Sequence, residues 1–352
     1  MSELPLIRLN SAAVLVAALD KMHLPTDAIL DGVGLKRSAF ENAETFVPAL
    51  VIYQFCEDAA AAAGDPAFLA HLGEAVNTAT WPPMVTASAE ASDLGQLLTR
   101  FAIEATEHSS AQTQSLEIHG DRAVFYGRRA FEPSFVPAQI DGFFAAMMVS
   151  VIRRAMGDDW NAHNIVVTVS DPSALPPLFL GIKAIRGDRH GYRLGFPSSW
   201  LTTPFHRSEF EQRSTMDATS GFPARKAAAA IEQALRPFVG EVALTSQSAS
   251  KLCGKSERSI SRLLEKENTS LGEILVHLKT NYAVEMLKQT DRPIGDIADA
   301  LGYSAPTSFT RSFKEWVGQT PSEFRRQANT RLLAEADKSG RSLIAGVAAE
   351  RG

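Results

Sequence analysis

Two short stretches collect side chains able to read a nucleic-acid surface. In SERSISRLLEKE (256–267), Arg258 and Arg262 stand four apart. On a helix they share an exposed face with Ser259 and Ser261, while Ile260, Leu263 and Leu264 fall on the opposite side. In PTSFTRSFK (306–314), Thr307, Ser308, Thr310, Arg311 and Lys314 lie largely opposite Phe309 and Phe313. An arginine fork can take guanine O6 and N7 together, and serine or threonine can meet base edges or a thymine methyl. Lysine and arginine neutralise phosphates, which sets position and makes binding salt-dependent. For any one of these cations the alternative is a solvated surface charge. The chain offers little other chemistry. It has no GxSxG, HExxH or phosphate-loop pattern. Cys56 and Cys253 are too few for a disulfide framework or a four-thiolate site, and both sit in apolar helical contexts that predict buried small side chains. His119 and His163 lack metal-ligand spacing. No catalytic residue, metal or cofactor is expected.

The elements that must hold these residues can be read from spacing. Ile294, Ile297, Ala298 and Leu301 make one apolar helical stripe. Pro293 suits a first helical position, and Gly302 a left-handed end. Ser304 is expected to cap the next helix, with Pro306 in its first turn and Phe309, Phe313 and Trp316 as its buried side. Gly318, Thr320 and Pro321 end it, and another turn starts at Ser322. Upstream the plan repeats. Ala249 and Leu252 end a short helix at Gly254, and Ser256 caps the helix carrying Arg258 and Arg262. A long helix from Thr269-Ser270-Leu271 to Leu287 joins the two halves. A short helix, a glycine turn and a second helix with an apolar back and a polar, cationic front suit groove insertion.

IADALGY, SFTRSFK and GQTPSEFRR, in that order and spacing, resemble the DNA-binding domain of the AraC/XylS family of bacterial transcription regulators over about thirty residues. The resemblance implies two helix-turn-helix units on a connecting helix, entering successive major-groove segments of promoter DNA. It puts Arg258, Ser261 and Arg262 of the first unit, and Pro306, Thr307, Thr310 and Arg311 of the second, at or beside base-reading positions. Lys255, Ser256, Ser304, Ser308 and Lys314 complete the expected contact set, through helix N-termini and phosphates. The first unit is the more divergent, since its leading helix TSQSASKL is polar. A softer likeness, VPALVIYQFCEDAAAAAGDPAFLAHLGEAV, points to the N-terminal effector domain of the arabinose-binding-domain-like branch.

Charge is distributed to match. The chain of 352 residues carries a net −5, with 45% hydrophobic and 21% charged residues, which is a globular composition. Lys251 to Arg326 holds 12 basic against 10 acidic residues, a net of +2, leaving the remainder with 23 against 30, a net of −7. MSELPLIRLN lacks the cationic start and apolar core of a signal peptide. The longest apolar run, Phe143 to Ile152, is too short for a bilayer. A cytoplasmic protein without membrane contact is expected.

The N-terminal half predicts α+β architecture, followed by an all-α C-terminal domain with two helix-turn-helix units. Helices are expected over 11–22, from 27 to 40, from Pro48 to Ala63, from Asp65-Pro66 to Leu72, from Ser92-Asp93 with Leu94, Leu97, Leu98, Phe101 and Ile103 inward, and over Pro137–Met156. Trp81-Pro82-Pro83 reads as a break. Gln114–His119 and Ala123–Phe131 alternate about Gly120-Asp121 as a hairpin. Asn164–Ser170, Leu180–Arg186 and Tyr192–Phe196 are further strands. The domains are expected at 1–205 (effector binding and dimerisation), 206–223 (linker), 224–328 (DNA binding) and 329–352 (tail). Family members' N-terminal halves often bind a small effector, dimerise or both. Arg128, Arg129, Arg186, Arg189 and Arg193 lie on or beside strands, as anchors for an anionic effector or as solvated sheet edges. The effector itself is unknown. Regulation by contact with RNA polymerase or by occlusion fits the same residues. Two other functions compete: a DNA-directed enzyme such as a repair alkyl acceptor, for which the cysteines are too few, and a metabolite binder without DNA binding.

Overall fold

A computed structural model describes residues 4–42, 44–75, 81–89, 91–129, 131–177, 179–204, 226–328 and 330. The expected linker 206–223 and all of the expected tail except Thr330 lie outside the described residues. The chain divides into two compact units, Met1–Pro237 with Leu252–Lys255, and Phe238–Lys251 with Ser256–Gly352. Residues 227–237, which the sequence reading groups with the C-terminal domain, fall in the first unit.

The first unit runs β1 (Leu6–Arg8), α1 (Ala13–Lys21), α2 (Thr26–Gly32), β2 (Phe46–Pro48), α3 (Ala49–Ala63), α4 (Phe68–Ala75), α5 (Pro82–Ser88) and α6 (Leu94–His108). It continues with β3 (Gln112–His119), β4 (Arg122–Arg129), α7 (Ala138–Met156), β5 (Val166–Val169), β6 (Lys183–Arg186), β7 (Gly191–Pro197) and α8 (Ala227–Leu235). The main sheet has order β3-β4-β7-β5-β6, antiparallel except for the parallel pair β5–β6. On β4, Ala123, Phe125 and Arg129 are buried while Val124 and Tyr126 are only half-buried, the period-2 pattern of a strand with one face inward. Tyr192, Leu194 and Phe196 on β7 and Val167 and Val169 on β5 continue the buried face. α7 packs against β5, β7 and α4. A side chain on Gly73 would come within 2.4 Å of the Phe143 carbonyl oxygen, so α4 and α7 approach as closely as they do because residue 73 has none.

The hairpin, α3 with its left-handed Gly64 end, and α7 appear where the spacing put them. Others differ. Trp81-Pro82-Pro83 begins α5 instead of breaking the chain, because prolines in the first turn lose no helical hydrogen bond. Ile103 is 63% exposed, while Leu94, Leu97, Leu98 and Phe101 are buried. Asp93 caps α6 by accepting from the Gln96 N–H at 2.8 Å. β6 starts only at Lys183, because Phe179–Gly181 forms a tight turn with Leu180 at φ 49°. The two-stranded ladder of β1 and β2 has no counterpart in the expected elements.

The second unit carries α9 (Ser246–Leu252), α10 (Glu257–Glu265), α11 (Leu271–Gln289), α12 (Ile294–Ala300) and α13 (Pro306–Val317), and residues 321–328 are again helical. α11 is the spine, packing on α10, α12 and α13. Its start is a capping box. Ser270 Oγ accepts from the Glu273 N–H at 3.2 Å, and Glu273 Oε2 accepts from the Ser270 N–H at 3.1 Å. Ser270→Ala is expected to cost about 1 kcal/mol in urea unfolding. A loss under ~0.3 kcal/mol would mean that packing alone holds this terminus.

Candidate nucleic-acid interface

Each expected recognition helix is fixed from behind. In the first helix-turn-helix, Gly254 takes φ +64° after α9, and Ser256 Oγ accepts from the Ser259 N–H at 3.2 Å to start α10. Ile260 and Leu264 are fully buried and Leu263 is half-buried. Arg258, Ser259, Ser261 and Arg262 are exposed. Lys255 is half-buried in the turn. The Ser256 hydroxyl also bonds that of Ser259 at 2.8 Å, so in the free protein it serves the cap.

The second helix-turn-helix is built on aromatic packing. Phe309 and Phe313 are fully buried, with rings 5.7 Å apart, and Phe313 meets Phe324 edge-on at 5.7 Å. Tyr303 packs on Phe309 at 5.6 Å and on the half-buried Trp316 at 6.3 Å. Lys279 Nζ lies 5.5 Å from the centre of the Tyr303 ring, and burial pushes the Lys279 ammonium below its ordinary range. Ile297, Ala298 and Leu301 of the expected stripe are buried, and Ile294 is half-buried. Gly302 turns the chain at φ +80°, and a side chain there would meet Ala243 Cβ at 2.9 Å. Conformation and space both call for glycine.

Two capping assignments need correction. Pro293 is the N-cap of α12, one residue before the helix. Ala305, not Ser304, is the N-cap of α13, and it offers no side-chain acceptor. Pro306 stands at the first helical position, where its missing N–H costs nothing. That leaves Ser304 exposed ahead of the helix.

On the outer side of α13, Pro306, Thr307, Ser308, Arg311 and Lys314 are exposed. Thr310 is half-buried, and its hydroxyl donates to the Pro306 carbonyl at 2.9 Å. The methyl of Thr310 is then the part free to face a groove. Among the described residues, Arg258, Arg262 and Arg311 form no ion pair or side-chain hydrogen bond. Arg325 differs: its Nη2 donates to the Arg292 carbonyl at 2.5 Å, so it ties residues 321–328 to the start of α12. Each helix-turn-helix therefore presents a helix with an apolar back and exposed guanidinium groups in front, Arg258 and Arg262 on α10 and Arg311 on α13.

The five strand arginines of the first unit do not form one site. Arg129 is buried, and its guanidinium grips Asp141 of α7 through Nη2 to Oδ1 and Nη1 to Oδ2, the second at 3.4 Å. Nη1 also donates to the Arg189 carbonyl at 2.9 Å. Arg129 is thus neither a solvated edge nor a free anchor, because a buried cation requires a partner. Arg186 pairs with Asp171 at 2.9 Å, and Arg128, Arg189 and Arg193 are exposed.

A cavity that the sequence did not reveal lies in this unit, with about 90 Å³ of internal room. Its walls come from β1, α1, α3, α4, α5, α6, β3 and α7, with Ser11 and Ala12 ahead of α1. Burial, with the charge of Arg8, lowers the pKa of His108 at its edge to about 4. Cys56, also in the wall, is buried, and burial pushes its thiol up. Cys253 is buried as well, its thiol pushed up to about 12 by burial. Among the described residues no group of three or more His, Cys, Asp or Glu could hold a metal ion, and no helix is long and apolar enough to cross a membrane.

Two family models match the chain. Residues 24–205, more than half of the chain, match the model described as "Arabinose-binding domain of AraC transcription regulator, N-term", and residues 249–327 match a helix-turn-helix domain model. The HTH-type transcriptional activator FapR of Escherichia coli is 33% identical over 69 residues, which is 20% of this chain and 26% of that protein. The HTH-type transcriptional regulator VqsM of Pseudomonas aeruginosa is 34% identical over 70 residues, 20% of this chain and 22% of that protein. The chain thus spans about a quarter of the length of these relatives. The solved transcriptional regulator CdpR of Pseudomonas aeruginosa aligns at a TM-score of 0.30 and 15% identity, over 74% of this chain and 87% of that one. With its N-terminal half matched by that domain model and its helix-turn-helix units following, the chain belongs to the AraC family of transcription regulators.

Proposed function

We propose that this protein is a sequence-specific DNA-binding regulator that lays α10 and α13 into successive major-groove segments of promoter DNA. The observation that carries this reading is the pair of helices, each with a buried apolar back, that leave Arg258, Arg262 and Arg311 exposed and uncommitted. Ser261, Arg262, Thr307 and Arg311, with the Thr310 methyl and the apolar face of Pro306, read bases. Lys255, Lys314, Ser256, Ser304 and Ser308 belong to the phosphate side. The DNA-binding domain is taken as 224–328, and residues 1–205 form a domain that binds a small effector and pairs two copies. The protein acts in the cytoplasm, activating through RNA polymerase or repressing by occlusion.

The logarithm of the affinity for an operator fragment is expected to fall linearly with the logarithm of salt concentration. Lys314→Ala should lower that slope by about 1 and weaken all sequences alike. Binding indifferent to salt, or a slope unchanged by Lys314→Ala, would remove the phosphate role.

A further inference from the structure

This inference rests on reading residues 1–205 as an effector-binding domain. We propose that the cavity of the first unit takes an uncharged, largely apolar small molecule with an oxygen acceptor, and neither a carboxylate nor a sugar.

Most of the wall is aliphatic or aromatic, with Ile52, Leu69, Leu72, Phe143 and Phe144 among its residues. None of its described residues is Asp, Glu, Lys or Arg. His108 is the one imidazole in the wall, and with its pKa held at about 4 it is neutral at pH 7. Arg129 lies over the Tyr53 ring at 5.2 Å, yet it is already committed to Asp141. A carboxylate entering here would lose its water and gain no counter-charge.

The polar atoms of the wall narrow the choice further. Buried polar groups are nearly always paired, so orphans call for an explanation. Four of the buried side-chain atoms without a partner among the described residues belong to residues of this one wall: Ser11 Oγ, Trp81 Nε1, His108 Nδ1 and Gln112 Nε2. Gln112 is 7% exposed and Trp81 9%. Gln114, also in the wall, already accepts from the Tyr192 hydroxyl at 2.8 Å. Gln112 Nε2 and Trp81 Nε1 are pure donors, and what a pure donor lacks is an acceptor such as a carbonyl or ether oxygen. A sugar would bring several hydroxyls, each needing partners that the aliphatic and aromatic walls do not supply. The matched domain's description names arabinose, and the chemistry of this wall does not suit it.

The test measures binding to the full-length protein by calorimetry with four probes: acetophenone, ethylbenzene, benzoate and L-arabinose. Acetophenone is expected to bind best, with ethylbenzene and benzoate each about tenfold or more weaker and arabinose undetectable. Gln112→Leu should bring acetophenone down to the level of ethylbenzene. If that variant does not fold, Ala105→Phe, which fills the cavity without removing a buried polar group, should abolish acetophenone binding. Benzoate or arabinose binding more tightly than acetophenone would overturn the proposed ligand class while leaving the effector-domain reading standing. No binding by any probe, or acetophenone binding that survives Ala105→Phe, would overturn the cavity as the site, and water would then account for the orphan donors.

Discussion

Asp141→Ala is expected to destabilise the first unit by about 3–5 kcal/mol, because it strands a buried guanidinium. Arg129 is 3% exposed and Asp141 1%, and Asp141 is its carboxylate partner. Beyond Asp141 the guanidinium meets neutral groups, the Arg189 carbonyl and Tyr53, and Nε has no partner among the described residues. A charge left in that position cannot reach water without disturbing the junction of β4 and α7. A domain's whole stability is ~5–15 kcal/mol, so the variant should unfold at much lower urea. The double replacement Arg129→Met with Asp141→Leu removes both charges and keeps apolar volume. It should recover most of the loss, since well-packed apolar substitutes for a buried ion pair are often neutral. A single variant that loses less than ~1 kcal/mol would mean that solvent reaches the pair.

The second large effect concerns DNA. Arg262→Ala combined with Arg311→Ala is expected to weaken binding to the preferred sequence by about 2–6 kcal/mol, or roughly 30-fold to 2 × 10⁴-fold. Each arginine is assigned a base contact worth ~1–3 kcal/mol. They sit on different helices, so the losses should nearly add. Neither supports the fold through an ion pair or side-chain hydrogen bond with a described residue, so unfolding should move by no more than ~0.5 kcal/mol. Binding to unrelated DNA should fall far less, because only charge is lost there.

Much of the second unit was legible because local rules and packing agree there. The stripe Ile297, Ala298 and Leu301, the glycines at 302 and 318, and the pair Phe309 and Phe313 follow from helical period and left-handed ends. The cap was misplaced by one residue. Ser304 has the better side chain, yet the proline at 306 selects the start of the helix and makes Ala305 the cap by position. In the first unit, spacing located the hairpin and α7 but could not tell which arginine is buried. Arg128 and Arg129 are adjacent on one strand and so face opposite ways, Arg128 to solvent and Arg129 to Asp141. β1 and β2 are three residues each, too short for alternation to register. The cavity draws its wall from residues between Ile7 and Phe144, and such convergence leaves no local pattern.

On the proposed function, α10 and α13 together read promoter DNA. Its most direct test is genome-wide occupancy of this protein in its own host, beside the Arg262→Ala/Arg311→Ala variant at equal abundance. Discrete peaks sharing a sequence with two blocks about one helical turn apart are expected, and they should be lost in the variant. Peaks that persist unchanged in the variant would contradict it.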